Sequence, residues 1–378
     1  MSKKLLLIIN EDRFFLSHRV NIAETAKKNG WDVTLVTKDT GKREEIEKMG
    51  YKYIELPINP TGMNIKDELR TYNFFKKLFK EHRDSIVHLV GLKNMLWGGL
   101  ASRVVKPKGV LYAVSGLGTL FGENKSVPVS LAIQSMLKIA MNRKNVAVIF
   151  QNHDDEKLFL DNGIAKNCFK FFIKGSGVDL KKFTPGEFHP DFPLKVIFTA
   201  RMLREKGVED LVAAAEILRE EYQDKVEFLL CGDLSNNPNA LTRQELENLT
   251  DNKYIKWLGY RTDVLQLLKE SDIMCFPSYY REGVPKSLIE ASACGLPIIT
   301  TDSVGCRDTV VHKKNGYIVR PHSPGEIAKA LRKLFKNPDK RYQMGLKSRQ
   351  MAEKDYNVKE VAQRHLEIYN LLHLNSNK

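Results

Sequence analysis

The sequence predicts an α/β protein built from two tandem doubly wound, Rossmann-like domains. Three observations lead there. Short apolar runs rich in β-branched residues or leucine alternate with helical patterns, the alternation breaks once near residues 179–192 and then restarts, and 378 residues exceed one ordinary core. With 42% apolar residues and 9% aromatics, both halves can be globular.

In the first half the expected strands are Leu5–Asn10, Asp32–Thr37, Ser85–Val90, Val110–Val114 and Val146–Gln151, with helical patterns such as His18–Asn29 between them. Near-continuous apolar strands of this kind belong to parallel sheets covered on both faces. The break at Asp179–Phe192 contains Thr184-Pro185-Gly186 and His189-Pro190-Asp191-Phe192-Pro193, a linker signature. The second half then reads strand Lys195–Ala200, helix Val208–Glu221, strands Val226–Cys231 and Tyr254–Leu258, helix Asp263–Glu270, strand Ile273–Pro277 and helix Pro285–Cys294. Strands Pro297–Thr301 and Gly316–Val319 and helix Pro324–Phe335 complete it. Boundaries at 1–185, 186–354 and 355–378 follow, the last piece being a helix near Val358–Leu372 that can pack back on the first domain.

The start, Met1–Asn10, has a basic flank and an apolar run of five residues followed by Glu11-Asp12-Arg13. It reads as a buried strand and not as a signal peptide. No run of about 18 apolar residues occurs, so no bilayer span is expected. Cys168, Cys231, Cys275, Cys294 and Cys306 form no C-x-x-C pair, which points to free thiols in a reducing compartment and to no metal site.

Charge is unevenly spread. Residues 1–190 hold 31 Lys and Arg against 20 Asp and Glu, whereas residues 191–378 hold 29 against 26. A basic first half suits acidic partners such as anionic lipid or phosphorylated substrates. Two segments fit an anionic membrane surface. Asp67–Arg83 spaces Leu69, Tyr72, Phe75, Leu78 and Phe79 with Lys76, Lys77, Lys80 and Arg83 interleaved, and Ser126–Lys144 runs from Pro128 to a basic end at Arg143-Lys144. Each also reads as an ordinary amphipathic helix on a sheet. No aromatic-plus-basic platform or zinc-finger spacing is present, so nucleic acid is not an expected partner.

Ligands of open α/β sheets bind at the carboxyl ends of strands. After the strand ending at Ala200 come Arg201 and Lys206, two cations on a turn before a helix, suited to clamping a diphosphate. Gly232-Asp233 and Gly259-Tyr260-Arg261 follow two further strands. After Pro277 comes the run Glu282-Gly283-Val284-Pro285-Lys286-Ser287-Leu288-Ile289-Glu290. Its first acid precedes a helix start and its second falls two turns later among Ile289, Ala291 and Ala293. Taken alone, the pair also reads as a first-turn acid plus one satisfied core Glu. Its position opposite Arg201 and Lys206 favours a site for a polyhydroxylated anion.

Arg201…Lys206-Gly207, Gly259, Asp272-Ile273…Pro277-Ser278, Glu282-Gly283-x-Pro285…Glu290-Ala291…Gly295-x-Pro297 and Asn315-Gly316 together resemble the retaining nucleotide-sugar glycosyltransferases of family GT4. The likeness spans the second domain, and Gly305-Cys306-Arg307-Asp308 is similar to a bacterial subgroup that builds capsule, O-antigen and lipid-linked oligosaccharides. The resemblance implies a GT-B fold, two Rossmann-like domains with parallel sheets facing a central cleft. It implies that Arg201 and Lys206 hold the donor diphosphate without a metal or cofactor, and that Glu282, with Gly283, Val284 and Pro285, meets the donor sugar. Glu290 would take the ribose hydroxyls, and Tyr260 and Arg261 would lie near the base. The donor would be a nucleotide sugar, UDP-linked, and the acceptor a polyprenyl-diphosphate-linked glycan at the inner face of the cell membrane, the enzyme being cytoplasmic and peripheral there.

The first domain departs from the family pattern. Asn10-Glu11-Asp12-Arg13 stands where many relatives have a Gly-Gly turn, and Ser115 or Gly116 of Val114-Ser115-Gly116-Leu117-Gly118 occupies the position of a usual His. His18 is the candidate substitute on the acceptor side, and His88 is a second lone histidine. Two other readings remain open on the sequence alone, a nucleotide-sugar epimerase of the same architecture and a non-catalytic protein whose basic face docks on a membrane.

Overall fold

A computed structural model describes residues 3–59, 64–117, 127–235 and 237–375. The chain divides into two compact units, Met1–Ser176 with Val358–Lys378, and Gly177–Asn357. Unit 1 contains β1 (Lys3–Glu11), β2 (Trp31–Lys38), β3 (Lys52–Glu55), β4 (Ser85–Val90), β5 (Gly109–Val114), β6 (Val146–Phe150) and β7 (Phe169–Phe172). They form one parallel sheet in the order β3-β2-β1-β4-β5-β6-β7. Unit 2 contains β8 (Leu194–Thr199), β9 (Val226–Cys231), β10 (Ile255–Gly259), β11 (Ile273–Phe276), β12 (Ile298–Thr301) and β13 (Gly316–Val319). Its sheet is also parallel, in the order β10-β9-β8-β11-β12-β13.

The central strands are apolar on both faces because helices cover both. Every residue of β4, β5 and β6 is buried. On one face of the unit 1 sheet Leu6 and Ile8 join Phe75, Phe79 and Tyr112. On the other, Leu5 and Leu7 pack with Phe15, Trp31 and Tyr369. Tyr369 belongs to the helix Val358–Asn375, which buries Leu366, Tyr369 and Leu372 in unit 1. There the Tyr369 hydroxyl bonds His88 Nδ1 at 2.8 Å.

Several elements differ from the sequence expectation for local reasons. The pattern His18–Asn29 is two helices, Asp12–His18 and Val20–Lys28, broken at Arg19 with φ −129°. The first starts early because the buried Asp12 carboxylate accepts from the backbone of Arg13, Thr40 and Lys42. Edge strands β3 and β7 are half exposed and carry Lys and Glu among their apolar residues, so their alternation is weak. A helix at Pro338–Asp355 was not expected. It is highly polar, yet Arg341 is buried and donates to the carbonyls of Leu334, His189 and Pro190.

Arg349 of the same helix bonds the carbonyls of Phe183, Leu180 and Ala293, which fastens the segment 179–192 within unit 2. Among the described residues no helix is long and apolar enough to cross a membrane. The helix Ile65–Glu81 buries Phe75, Leu78 and Phe79 and leaves Ile65 and Leu69 exposed. The helix Val127–Met141 buries Ile133, Leu137 and Met141 and exposes Val129, Leu131 and Ile139. Ser126 lies outside the described residues, as does Gly118 of the run Val114–Gly118.

Candidate active site

A doubly wound sheet opens a crevice where the strand order reverses, because successive connections leave on opposite faces. In unit 2 that point lies between β8 and β11. The loop after β8 carries Arg201 to Lys206, and the loop after β11 carries Ser278 to Pro285.

Three glycine-dependent contacts hold these loops together. Gly207 has φ +80°, and a Cβ there would come 2.2 Å from the Pro277 carbonyl oxygen. Gly305 has φ +81° and lies so close to the Gly283 carbonyl that a Cβ would sit 1.6 Å from it. Gly232, after β9, is equally tight against the Ala200 carbonyl oxygen. Only glycine combines a positive φ with such approach. The Glu205 carbonyl then accepts three bonds from the β11 loop: Ser278 Oγ at 3.0 Å, Tyr279 N at 3.0 Å and Tyr280 N at 3.2 Å.

This latch brings Lys206 to Glu282, and the two form an ion pair with both side chains largely buried. The ammonium also lies 5.2 Å over the Tyr280 ring and 5.6 Å over Phe276. Burial raises the Tyr280 phenol above its ordinary value, with the Glu282 carboxylate adding to that and Arg201 opposing it. Arg201 is exposed, and among the described residues its guanidinium makes no hydrogen bond or ion pair. One cation is therefore pre-positioned and the other is available to a ligand.

Gly283, Val284 and Pro285 are buried and lead into the helix Lys286–Ala293, with Pro285 as its N-cap residue in extended conformation. Pro285 offers no side-chain cap, so the first turn presents its positive dipole end at the strand ends. Glu290 sits in the second turn, and burial raises its carboxyl above the ordinary value while Lys286 and Lys182 pull it down. Its nearest cation, Lys286 Nζ, is 3.9 Å away. A desolvated carboxylate with a loose partner is an acceptor awaiting donors. Tyr260 is 72% exposed after β10, and Arg261 is committed to Asp263 through bonds of 2.8 and 2.5 Å.

In unit 1 the order reverses between β1 and β4. At that point Asn94 Nδ2 donates to Asn10 Oδ1 at 2.9 Å and to the Val90 carbonyl at 2.8 Å. Gly91, with φ +91°, makes room for the Asn10 amide. Neither Asn10 nor Asn94 was a candidate from sequence, since they lie 84 positions apart in no motif. Ser115 is exposed and Gly116 has φ +102° just past β5. His18 ends the first short helix, half buried, with Nδ1 2.7 Å from Ser17 Oγ. His88 is fully buried within β4. Lys38, Glu55, Asp67, Arg70 and Phe74 line a polar concavity of 560 Å³ at the ends of β2 and β3, which no spacing in the sequence marks.

The fold thus gathers two cations and an acid at the reversal of a parallel sheet, the place where ligands of doubly wound folds bind. The chain belongs to the glycosyltransferases: residues 181–351 match the model for glycosyl transferases group 1, and residues 4–152 that for glycosyl transferase 4-like domains. It is 25% identical to the N,N'-diacetylbacillosaminyl-diphospho-undecaprenol alpha-1,3-N-acetylgalactosaminyltransferase of Campylobacter jejuni, over 94% of this chain and 97% of that one. It is 24% identical to the UDP-Gal:alpha-D-GlcNAc-diphosphoundecaprenol alpha-1,3-galactosyltransferase of Escherichia coli, over 80% and 79% of the two chains. In fold it is similar to Anabaena Alr3699/HepE, solved with UDP and glucose, at a TM-score of 0.77, 17% identity and coverage of 98% and 100%. The two parallel-sheet domains are those of the GT-B architecture.

Proposed function

We propose that the chain is a retaining transferase that moves a hexose or N-acetylhexosamine from a UDP-linked sugar to a glycan carried on a polyprenyl diphosphate. The observation that carries this reading is the Lys206–Glu282 pair at the unit 2 switch point, with Arg201 unengaged beside it. A donor diphosphate takes Lys206 away from Glu282 and gains Arg201. The released carboxylate then accepts from hydroxyls of the donor sugar. As the bond from C1 to the β-phosphate oxygen breaks, both electrons leave with UDP, and the two cations hold the charge that develops. The acceptor hydroxyl attacks C1 from the same face and passes its proton to the departing phosphate. Such a step asks for positioning more than for a protein base.

With two cations on the diphosphate, no divalent ion is required, and full activity in a chelator is the expected outcome. Glu290 receives the ribose hydroxyls. The lipid-linked acceptor is supported by the names of both relatives, each a transferase to a diphospho-undecaprenol acceptor, and the UDP donor by that of the Escherichia coli enzyme. Exposed Ile65, Leu69, Val129 and Leu131, near the starts of two unit 1 helices, supply an apolar contact for the inner face of the cell membrane.

Purified protein incubated with UDP-sugars and an undecaprenyl-diphosphate-linked saccharide tests the reading. Expected is UDP release that depends on the acceptor, with a product of unchanged anomeric configuration. Free epimer formed without acceptor would mark an epimerase instead, and an inverted linkage would remove the mechanism while keeping the transfer.

A further inference from the structure

Three adjacent helices of unit 1, Ile65–Glu81, Leu92–Val105 and Val127–Met141, end at one rim, where β4, β5 and β6 begin. This is the amino end of the sheet, opposite the end at which doubly wound folds do their chemistry. Arg83, Arg103, Lys106, Lys108, Arg143 and Lys144 line a concavity of 870 Å³ there. Cations at helix C-termini complement the macrodipole, but three helix ends offer only about half a charge each. Six cations exceed that severalfold.

Among the described residues no carboxylate makes up the difference. Asp84, the one acid in the lining, is already bound by Lys4 at 2.8 Å. Among the described residues none of the six cations is in an ion pair. Arg143 is the anchor of the group. Its guanidinium donates to the Ser102 carbonyl at 2.8 Å and to Ser102 Oγ at 2.9 Å, while its Nε is buried without a partner. Burial and the neighbouring Arg103 cation hold it below its ordinary value, the reverse of what an acidic neighbour does. Arg103, Lys106 and Lys144 are exposed around it.

We infer that this concavity is a second ligand site, taking a soluble di- or triphosphate group at the end of unit 1 opposite its acceptor side. Its hollow shape and unpaired cations match a discrete multivalent anion, which charge-assisted bonds from Arg and Lys recognise strongly. A lipid surface is the weaker fit. The exposed apolar residues near this rim, Val104, Ile139 and Leu374, come singly from three different helices, whereas Ile65, Leu69, Val129 and Leu131 stand at the other end of two of these helices.

The test is calorimetric titration of the full chain with sodium tripolyphosphate, with UDP in parallel to separate a nucleotide from an inorganic source. The triple variant Arg103→Gln, Lys106→Asn, Lys144→Gln removes exposed charge only, and Asn suits the left-handed φ of 58° at position 106. Expected is a loss of tripolyphosphate affinity of about tenfold or more in this variant, with the binding retained in Lys206→Ala. Equal affinity in parent and triple variant overturns the site, as does loss of the binding in Lys206→Ala. Flotation with vesicles of phosphatidylglycerol and phosphatidylcholine covers the remaining source: vesicle binding lost in the triple variant while tripolyphosphate binding stays unchanged reassigns the patch to membrane. Independently of any variant, tripolyphosphate is expected to protect Lys106, Lys108 and Lys144 of the parent from acetylation, and unchanged labelling contradicts the proposal.

Discussion

Lys206 and Glu282, 76 positions apart, neutralise one another at the reversal point of the unit 2 sheet, while Tyr280 closes over the ammonium. Neither charge is buried alone. Leaving one of them behind is costly, since a largely desolvated charge without its counterion is strongly disfavoured.

Lys206→Ala is therefore expected to lower kcat by about a hundredfold to a thousandfold, with a smaller loss in UDP affinity because Arg201 remains. Glu282→Gln keeps the hydrogen-bonding shape and frees Lys206. Its expected signature is a lowered kcat with UDP binding unchanged or tighter. Steady-state kinetics paired with UDP calorimetry check both, and a Glu282→Gln protein that loses UDP binding would contradict the exchange of partners.

Glu290→Gln separates stability from binding. A carboxyl raised above its unfolded value favours the fold at low pH, and that advantage fades as pH climbs through the unfolded and then the folded value. Above that window the buried charge is a liability. The glutamine variant should melt higher than the parent at pH 7.5 and bind UDP roughly tenfold or more weakly, the effect of losing charge-assisted bonds to two hydroxyls. Thermal scans with and without UDP measure both quantities.

Gly305→Ala places a methyl within 1.6 Å of the Gly283 carbonyl oxygen in a backbone region alanine avoids. The loop that carries Glu282 must shift. An expected cost of about 1–3 kcal/mol in urea unfolding should be accompanied by a larger fall in donor kcat/KM, since misplacement by an ångström at a reacting centre costs about a hundredfold. Gly325→Ala, where added carbon meets open space, is the control expected to leave kinetics unchanged.

Unit 1 should be acid-labile. His88 lies well below its ordinary value, and His365 is pushed down to about 3, chiefly by burial, with the Arg19 cation adding to it in both. Both stay neutral in the fold while the unfolded chain takes up protons below about pH 6.5. Stability present above that pH is then lost on acidification, by about 1.4 kcal/mol per pH unit for each histidine. Urea unfolding between pH 7.5 and 5.5 should show this slope, and His365→Leu should reduce it by one histidine's share.

How far the sequence reveals this molecule depends on the reach of each signal. β4, β9 and β13 are legible to the residue, because their apolar runs end at turn formers. Arg201, Lys206, Glu282 and Glu290 stand out as candidates in the sequence because each lies beyond such a run, on the side where ligands of open α/β sheets bind. That Lys206 meets Glu282 is not legible, since the contact depends on Gly207 and Gly305 approaching backbone carbonyls supplied by distant loops. The Asn10–Asn94 bond and the Lys38–Arg70 concavity are likewise products of register between strands. The early start of the helix Asp12–His18 escaped detection because its cause, the Asp12 carboxylate, reaches forward to Thr40 and Lys42.

The helix Val358–Asn375 gives unit 1 a temporal property as well as a spatial one. Its Val361, Ala362, Leu366, Ile368, Tyr369 and Leu372 complete a core whose other members come from the first 173 residues. During synthesis unit 2 can mature as a continuous stretch, whereas unit 1 must wait for the last turns of the chain to leave the ribosome. A stop codon shortly before residue 358 would thus spare the Lys206–Glu282 pair and expose the face that holds Trp31 and His88, marking the chain for proteolysis.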